Sequence, residues 1–207
     1  MDDAALRRFD QALAVYAPAV RARLAESDLG RDEVHERFAT VGLRPSREAL
    51  EWWTYFDAPV GSSGLEVLPR YWFLTISESV DLYRWRRERA KEAADDAGST
   101  HTAEHAYGRQ WIPLFSIQNE GDVVLDCSDE PDGPSPVREM YPDTIFTPEC
   151  GRMIAPSLGE FLVGASRWME QGRSRWDPDR RMWWPTESWA MKDRAELFGT
   201  SDPPDAP

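Results

Sequence analysis

Residues 111–126, Trp-Ile-Pro-Leu-Phe-Ser-Ile-Gln-Asn-Glu-Gly-Asp-Val-Val-Leu-Asp, constrain this chain more than any other stretch. Trp111, Pro113, Phe115 and Ile117 alternate with Ile112, Leu114, Ser116 and Gln118. That period of two sends successive side chains to opposite faces of a strand. Asn119-Glu120-Gly121-Asp122 supplies a turn, where Gly121 can take positive φ at no steric cost. Val123, Val124 and Leu125 form the return arm, and Asp126 ends it. The stretch reads as a β-hairpin with an acidic turn, which suits a binding scaffold more than an enzyme.

Helical periods surround it. Leu6, Phe9, Leu13, Tyr16, Val20 and Leu24 recur every three or four residues, with Pro18 breaking the pattern. A second helix follows Asp28-Leu29-Gly30, burying Val34, Phe38 and Val41. Ser46 is the expected N-cap of a third helix, with Leu50, Trp53 and Phe56 as its buried stripe. Asp57-Ala58-Pro59 stops it, and Gly61-Ser62-Ser63-Gly64 reads as a flexible loop. Leu68 to Thr75 reads as one strand. Ser77 is the expected cap of the next helix, which carries Val80, Tyr83 and Arg87 on one side and decays through residues 93–96. Residues 98–108 read as an exposed insertion.

Beyond the hairpin, residues 136–147 read as one or two short strands. Ser157-Leu158-Gly159-Glu160 has the capping-box pattern, in which the serine accepts from the N3 amide and the glutamate reaches back. Leu158, Phe161, Leu162, Ala165, Trp168 and Met169 then give a strongly amphipathic helix. Trp176-Asp177-Pro178-Asp179-Arg180 is the expected turn between two strands ending near Trp184. A weak helix at 187–198 and a disordered tail from Ser201 to Pro207 close the chain.

The 207 residues fit one domain with appendages. The formal net charge of −13 repels nucleic acid and anionic lipid and attracts basic partners. Only two cysteines, Cys127 and Cys150, are present, too few for a disulfide framework and without metal-ligand spacing. The N-terminus lacks the regions of a signal peptide, and no apolar run has the length of a membrane span. The expectation is a cytoplasmic protein with no cofactor and no metal.

Three groups of residues carry candidate chemistry. Glu120, Asp122, Asp126, Asp129, Glu130 and Asp132 cluster in sequence and read as an acidic face opposing a partner's arginines and lysines. Asp126 has a second reading, as a structural carboxylate accepting backbone amides at the strand end. Adjacent tryptophans cannot both be buried in a regular element. One of Trp52-Trp53 and one of Trp183-Trp184 should therefore lie exposed as a partner anchor, with Trp52 and Trp184 chosen. His101-Thr-Ala-Glu104-His105 matches the HxxEH spacing of a metal-dependent hydrolase, which requires both imidazoles on one helix face. There is no GxSxG elbow, P-loop or GxGxxG.

Five segments taken together resemble the SUKH superfamily, which groups fungal cell-wall assembly regulators with bacterial toxin-immunity proteins. These are Gly42-Leu43-Arg44-Pro45 with the helix to Phe56, the strand-to-helix step from Leu74 to Tyr83, and Trp111-Ile-Pro113 with Gly121-Asp122 and Leu125-Asp126. The other two are Ile154 to Leu162, and Trp176-Asp177-Pro178-Asp179 with the aromatics after it. They span roughly residues 40–184. The sequence departs from the pattern after the opening helix, where Asp57-Ala58-Pro59 replaces the usual Asn-Gly, and in a longer stretch at 91–108. The resemblance implies an α+β fold, with an antiparallel sheet packed against several helices, and no catalysis. It divides the chain into a helical extension (1–29), the SUKH-like domain (30–184) and a C-terminal piece (185–207). The implied function is an immunity protein, a monomer or weak dimer, that occludes a basic toxin such as a nuclease. A regulatory or scaffold protein of the same fold is the alternative.

Overall fold

The computed structural model describes residues 3–57, 64–98, 101–117, 120–129, 131–147 and 150–185. Glu130, most of the Gly61–Gly64 loop, the helix expected at 187–198 and the tail lie outside them. The fold is α+β. In chain order its elements are helices α1 (Asp3–Tyr16) and α2 (Pro18–Arg21), strand β1 (Ala25–Glu26), helices α3 (Arg31–Ala39) and α4 (Arg47–Tyr55), and strands β2 (Phe56–Asp57), β3 (Glu66–Leu68) and β4 (Tyr71–Phe73). Then come α5 (Ile76–Ala97), α6 (Ala103–Ala106), β5 (Trp111–Ile117), β6 (Gly121–Asp126), β7 (Val137–Met140), a 3-10 turn (Pro142–Thr144), β8 (Arg152–Ala155), α7 (Leu158–Glu170), β9 (Ser174–Asp177) and β10 (Met182–Pro185).

Strands β3 to β8 form one six-stranded antiparallel sheet in sequential order, while β1–β2 and β9–β10 are separate two-stranded ribbons. The sheet is covered on both faces. Phe73 pairs with Phe115, and Phe115 with Val123, so these side chains share one face. Trp52 of α4 meets Phe73 and Phe115 there, and Phe161 of α7 meets Tyr71 and Phe115. Helix α1 lies along α7 and adds Phe9 to the same core. On the opposite face, Ser116, Asp122 and Met140 stand in register. Helix α5 covers them, and its Ser79 hydroxyl donates to Pro113 O at 2.7 Å.

The central hairpin forms, with Trp111 opposite Asp126 and Ile117 opposite Gly121, but the expected alternation is corrected: the register shifts at Leu114, so Pro113 pairs with Val124 and Phe115 with Val123, and Trp111 and Pro113 lie on the opposite face from Phe115 and Ile117. Gly121 is required for a different reason from the one expected. It is absent from the residues with positive φ, and a Cβ there would lie 2.2 Å from Met140 O on the neighbouring strand. Pro18 does end α1 and opens α2, and Ser46 does cap α4 by accepting from Ala49 N.

Several local expectations are corrected. The strand expected over 68–75 is two strands, because Pro69 has no N–H to continue a ladder and Arg70 turns back at φ 70°. The Glu66 carboxylate fixes that turn by accepting from Arg70 N at 2.6 Å. Thr75, not Ser77, caps α5, in a reciprocal box with Glu78. Helix α5 does not decay at residue 93. It holds no Pro or Gly, and buried Ala90 and Ala94 extend its stripe to Ala97. Residues 98–108 are not wholly an exposed insertion either. Ala106 and Tyr107 are buried, and the Arg87 guanidinium donates to Tyr107 O at 2.6 Å.

Candidate protein-binding surface

The expected acidic face divides when the chain folds. Asp122 is fully buried at 0% exposure, because α5 covers its side of the sheet. Arg86 of α5 donates to it through Nε at 2.6 Å and Nη2 at 3.0 Å. Burial pushes the Asp122 carboxyl up, and the bonds and charge of Arg86 offset part of that. Asp122 is therefore removed from the surface set. Asp126 ends β6, Asp129 and Asp132 follow it, and Glu120 precedes the strand's other end. Six residues of strand separate the ends by roughly 20 Å. Glu120 is exposed and pairs with Arg70.

Asp126 is half-buried and structural, as its second reading held. It accepts from Ser128 N at 3.1 Å and from Arg138 Nε at 2.9 Å. Burial raises its carboxyl, but the bonds from Ser128 and Arg138 outweigh it, and the group sits below the ordinary carboxylate value. A depressed folded value gives stability that is present above the unfolded value and lost as pH falls through the folded one. Asp126→Asn should therefore flatten the acid side of the stability curve, measured as the urea midpoint against pH. An unchanged acid limb would contradict the assignment.

Trp52 is also corrected. It is 0% exposed, and so is unavailable to any partner. Adjacent Trp52 and Trp53 are both buried, against expectation, because α4 is embedded on two sides. Trp52 faces the sheet and Phe9, while Trp53 packs on Phe38 and donates to Leu74 O at 3.4 Å. The second pair behaves as expected. Trp183 is buried against Trp168 and Trp176, and Trp184 is 51% exposed with the Arg180 guanidinium 5.1 Å from its ring centroid. What remains at the surface from the expected set is Glu120, Asp129, Asp132 and Trp184.

The HxxEH residues do not share a helix face, since α6 spans only Ala103–Ala106 and His101 precedes it. Glu104 binds Arg87 at 2.8 Å, and His105 Nδ1 accepts from Thr102 N at 3.3 Å. Among the described residues no group of three or more His, Cys, Asp or Glu is placed to hold a metal ion. Burial pushes both thiols, Cys127 and Cys150, above their ordinary value, which disfavours the nucleophilic thiolate. No helix among the described residues is long and apolar enough to cross a membrane.

Among the described residues four buried carboxylates hold the fold. Glu48 Oε2 accepts from Ser135 N at 2.8 Å and Leu158 N at 3.1 Å, and Oε1 accepts from Gly159 N at 3.2 Å. It thus places a carboxylate from α4 on the N-terminus of α7, where free amides and the helix dipole favour negative charge. Ser157 still accepts from Glu160 N. Glu66 accepts from Trp183 N at 3.1 Å and so ties β10 to the sheet edge. Burial raises its carboxyl against the backbone bonds it accepts. Glu139 accepts from the Tyr71 hydroxyl, and Asp122 pairs with Arg86. The sequence reading assigned no role to Glu48, Glu66, Glu139 or Arg86. Only Arg86 left a signal, through its helical spacing from Ser79, Tyr83 and Ala90. Compared with known proteins, the chain matches no family model and no curated protein.

Proposed function

We propose that this chain is a non-enzymatic protein-binding module that covers a basic surface on a partner protein. The observation carrying the reading is the division of labour among its carboxylates. The four buried ones among the described residues are each bonded to a structural partner. The surplus that gives the chain its charge of −13 therefore lies elsewhere, including exposed Glu120, Asp129 and Asp132. A field of that sign speeds encounter with a cationic surface and orients it. Trp184 supplies a large exposed aromatic of the type that anchors interfaces.

The finer reading is an immunity protein that occludes a basic toxin domain, such as a nuclease. It rests on the SUKH-like segments at 42–56, 74–83, 111–126, 154–162 and 176–179. A nuclease surface built to attract phosphates is basic, and an acidic cover complements it. The test is co-expression with the product of the adjacent gene. The expected result is rescued growth and a complex that co-purifies, with Trp184→Ala weakening binding by about tenfold while the unfolding midpoint stays unchanged. Neither rescue nor complex would end the immunity reading. A complex with a non-toxic partner would favour a scaffold or regulator of the same fold.

A further inference from the structure

The segment around α2 and the turn joining β9 to β10 enclose a cleft of about 360 Å³, lined by Ala19, Arg23, Trp176, Pro178 and Arg181. Ala19, Pro178 and the mostly buried Trp176 give it an apolar wall. Arg23 and Arg181 are the charged residues of its lining, and no carboxylate stands among them. The volume falls within the range of small-molecule sites, which combine an apolar wall with a few polar groups that fix orientation.

The two arginines are set apart from their neighbours. Among the described residues neither side chain makes a hydrogen bond or an ion pair, although the chain carries a surplus of carboxylates. The adjacent arginines are paired, Arg21 with Asp10 and Arg180 with Asp177. Asp177 is further occupied, because its Oδ1 accepts from Asp179 N at 3.0 Å and Arg180 N at 3.1 Å. Two like charges lining one cleft repel each other, and an anion placed between them removes that cost.

Arg181 also holds a left-handed backbone at φ 53°. Glycine takes that conformation freely, whereas a Cβ makes it costly. The turn thus keeps a strained arginine where glycine would relax it, and strain retained in this way marks a side chain with work to do.

The charge of the lining selects the ligand. Two guanidiniums match a phosphate monoester, which carries a charge of about −2 at neutral pH and offers oxygens to their forked donors. The overall charge of −13 opposes an anion from afar. Salt screens charges beyond roughly 8 Å, so the cationic lining sets the local field.

We infer that this cleft binds the phosphoryl group of a phosphate monoester with a small apolar body. The oxygens accept from Arg23 and Arg181, and the body lies against Trp176, Pro178 and Ala19. The inference does not depend on the protein-binding reading.

The test is a ligand-observed NMR titration of the full chain with phenyl phosphate and, separately, with phenyl sulfate, which has the same shape and one charge fewer. Phenyl phosphate should bind saturably, and about threefold or more tighter than phenyl sulfate. Arg23→Gln should weaken binding by about tenfold, and Ala19→Phe, at an exposed position, should block the cleft. Arg109→Gln makes the same change in net charge outside the cleft and should leave affinity within about twofold. Arg181→Gly should weaken binding by about tenfold while leaving the unfolding midpoint equal to or above that of the parent, because glycine relaxes the backbone. That pairing separates a ligand contact from damage to the fold. N-acetyl phosphotyrosine amide distinguishes the source of the phosphoryl group. Tighter binding than phenyl phosphate assigns it to a phosphorylated protein segment, and equal or weaker binding to a free ester. No saturable binding, equal or tighter binding of phenyl sulfate, or titration curves unmoved by Arg23→Gln and Arg181→Gly would each overturn the inference.

Discussion

Glu48→Ala should lower the unfolding free energy by about 4 kcal/mol, among the largest single effects in this chain. The substitution leaves Ser135 N, Leu158 N and Gly159 N without an acceptor. Each buried amide so stranded costs roughly 1–3 kcal/mol, less where water can enter. It also removes a negative charge from the N-terminus of α7, an effect of up to about 2 kcal/mol in partly buried geometries. Glu48→Gln keeps one acceptor oxygen and should cost about half as much. Exposed Glu160, on the same helical turn, is the control, and Glu160→Ala should stay within about 1 kcal/mol of the parent. Urea denaturation followed by far-UV circular dichroism measures all three, provided the denaturant slope is constant. A Glu48→Ala loss no larger than that of Glu160→Ala would contradict the capping role.

Arg86→Met should cost about 3–5 kcal/mol, because it leaves Asp122 charged, buried and alone. The double change Arg86→Met with Asp122→Leu should be less destabilising than Arg86→Met, since both buried charges are then gone. The single variant should also acquire a new pH dependence. Without the guanidinium, the Asp122 carboxyl rises further above its unfolded value. The folded state then binds more protons than the unfolded state over that window. Stability is therefore highest below the unfolded carboxylate value and falls as pH rises through the folded one. A single variant that loses stability on acidification, or a double variant worse than the sum of the singles, would contradict the pairing.

The hairpin shows what a sequence can disclose about this fold. Alternation at 111–117 located the strand but not the register shift at Leu114, and Ser46, Pro18 and Ser157 marked helix boundaries, because each acts through its nearest neighbours in the chain. The candidate site was less legible, because burial is decided by elements distant in sequence. Asp122 sits in a polar turn by sequence, yet α5, some thirty-six residues earlier, covers it. Trp52 and Trp53 differ only in which distant element each one meets, the sheet or α3. Glu48 in a first helical turn looks like any solvated acidic residue until α7, 110 residues on, brings its free amides to it. Trp184 was legible, since an adjacent pair on a strand must face opposite ways.

The most direct test of the central claim is a binding isotherm between the full chain and the product of the adjacent gene at low and high salt. The account predicts a saturable complex whose association slows as salt screens the acidic surface, with no change in either protein's covalent structure. Chemical conversion of the partner or of a small substrate, abolished by a single change at a buried polar side chain, would contradict it.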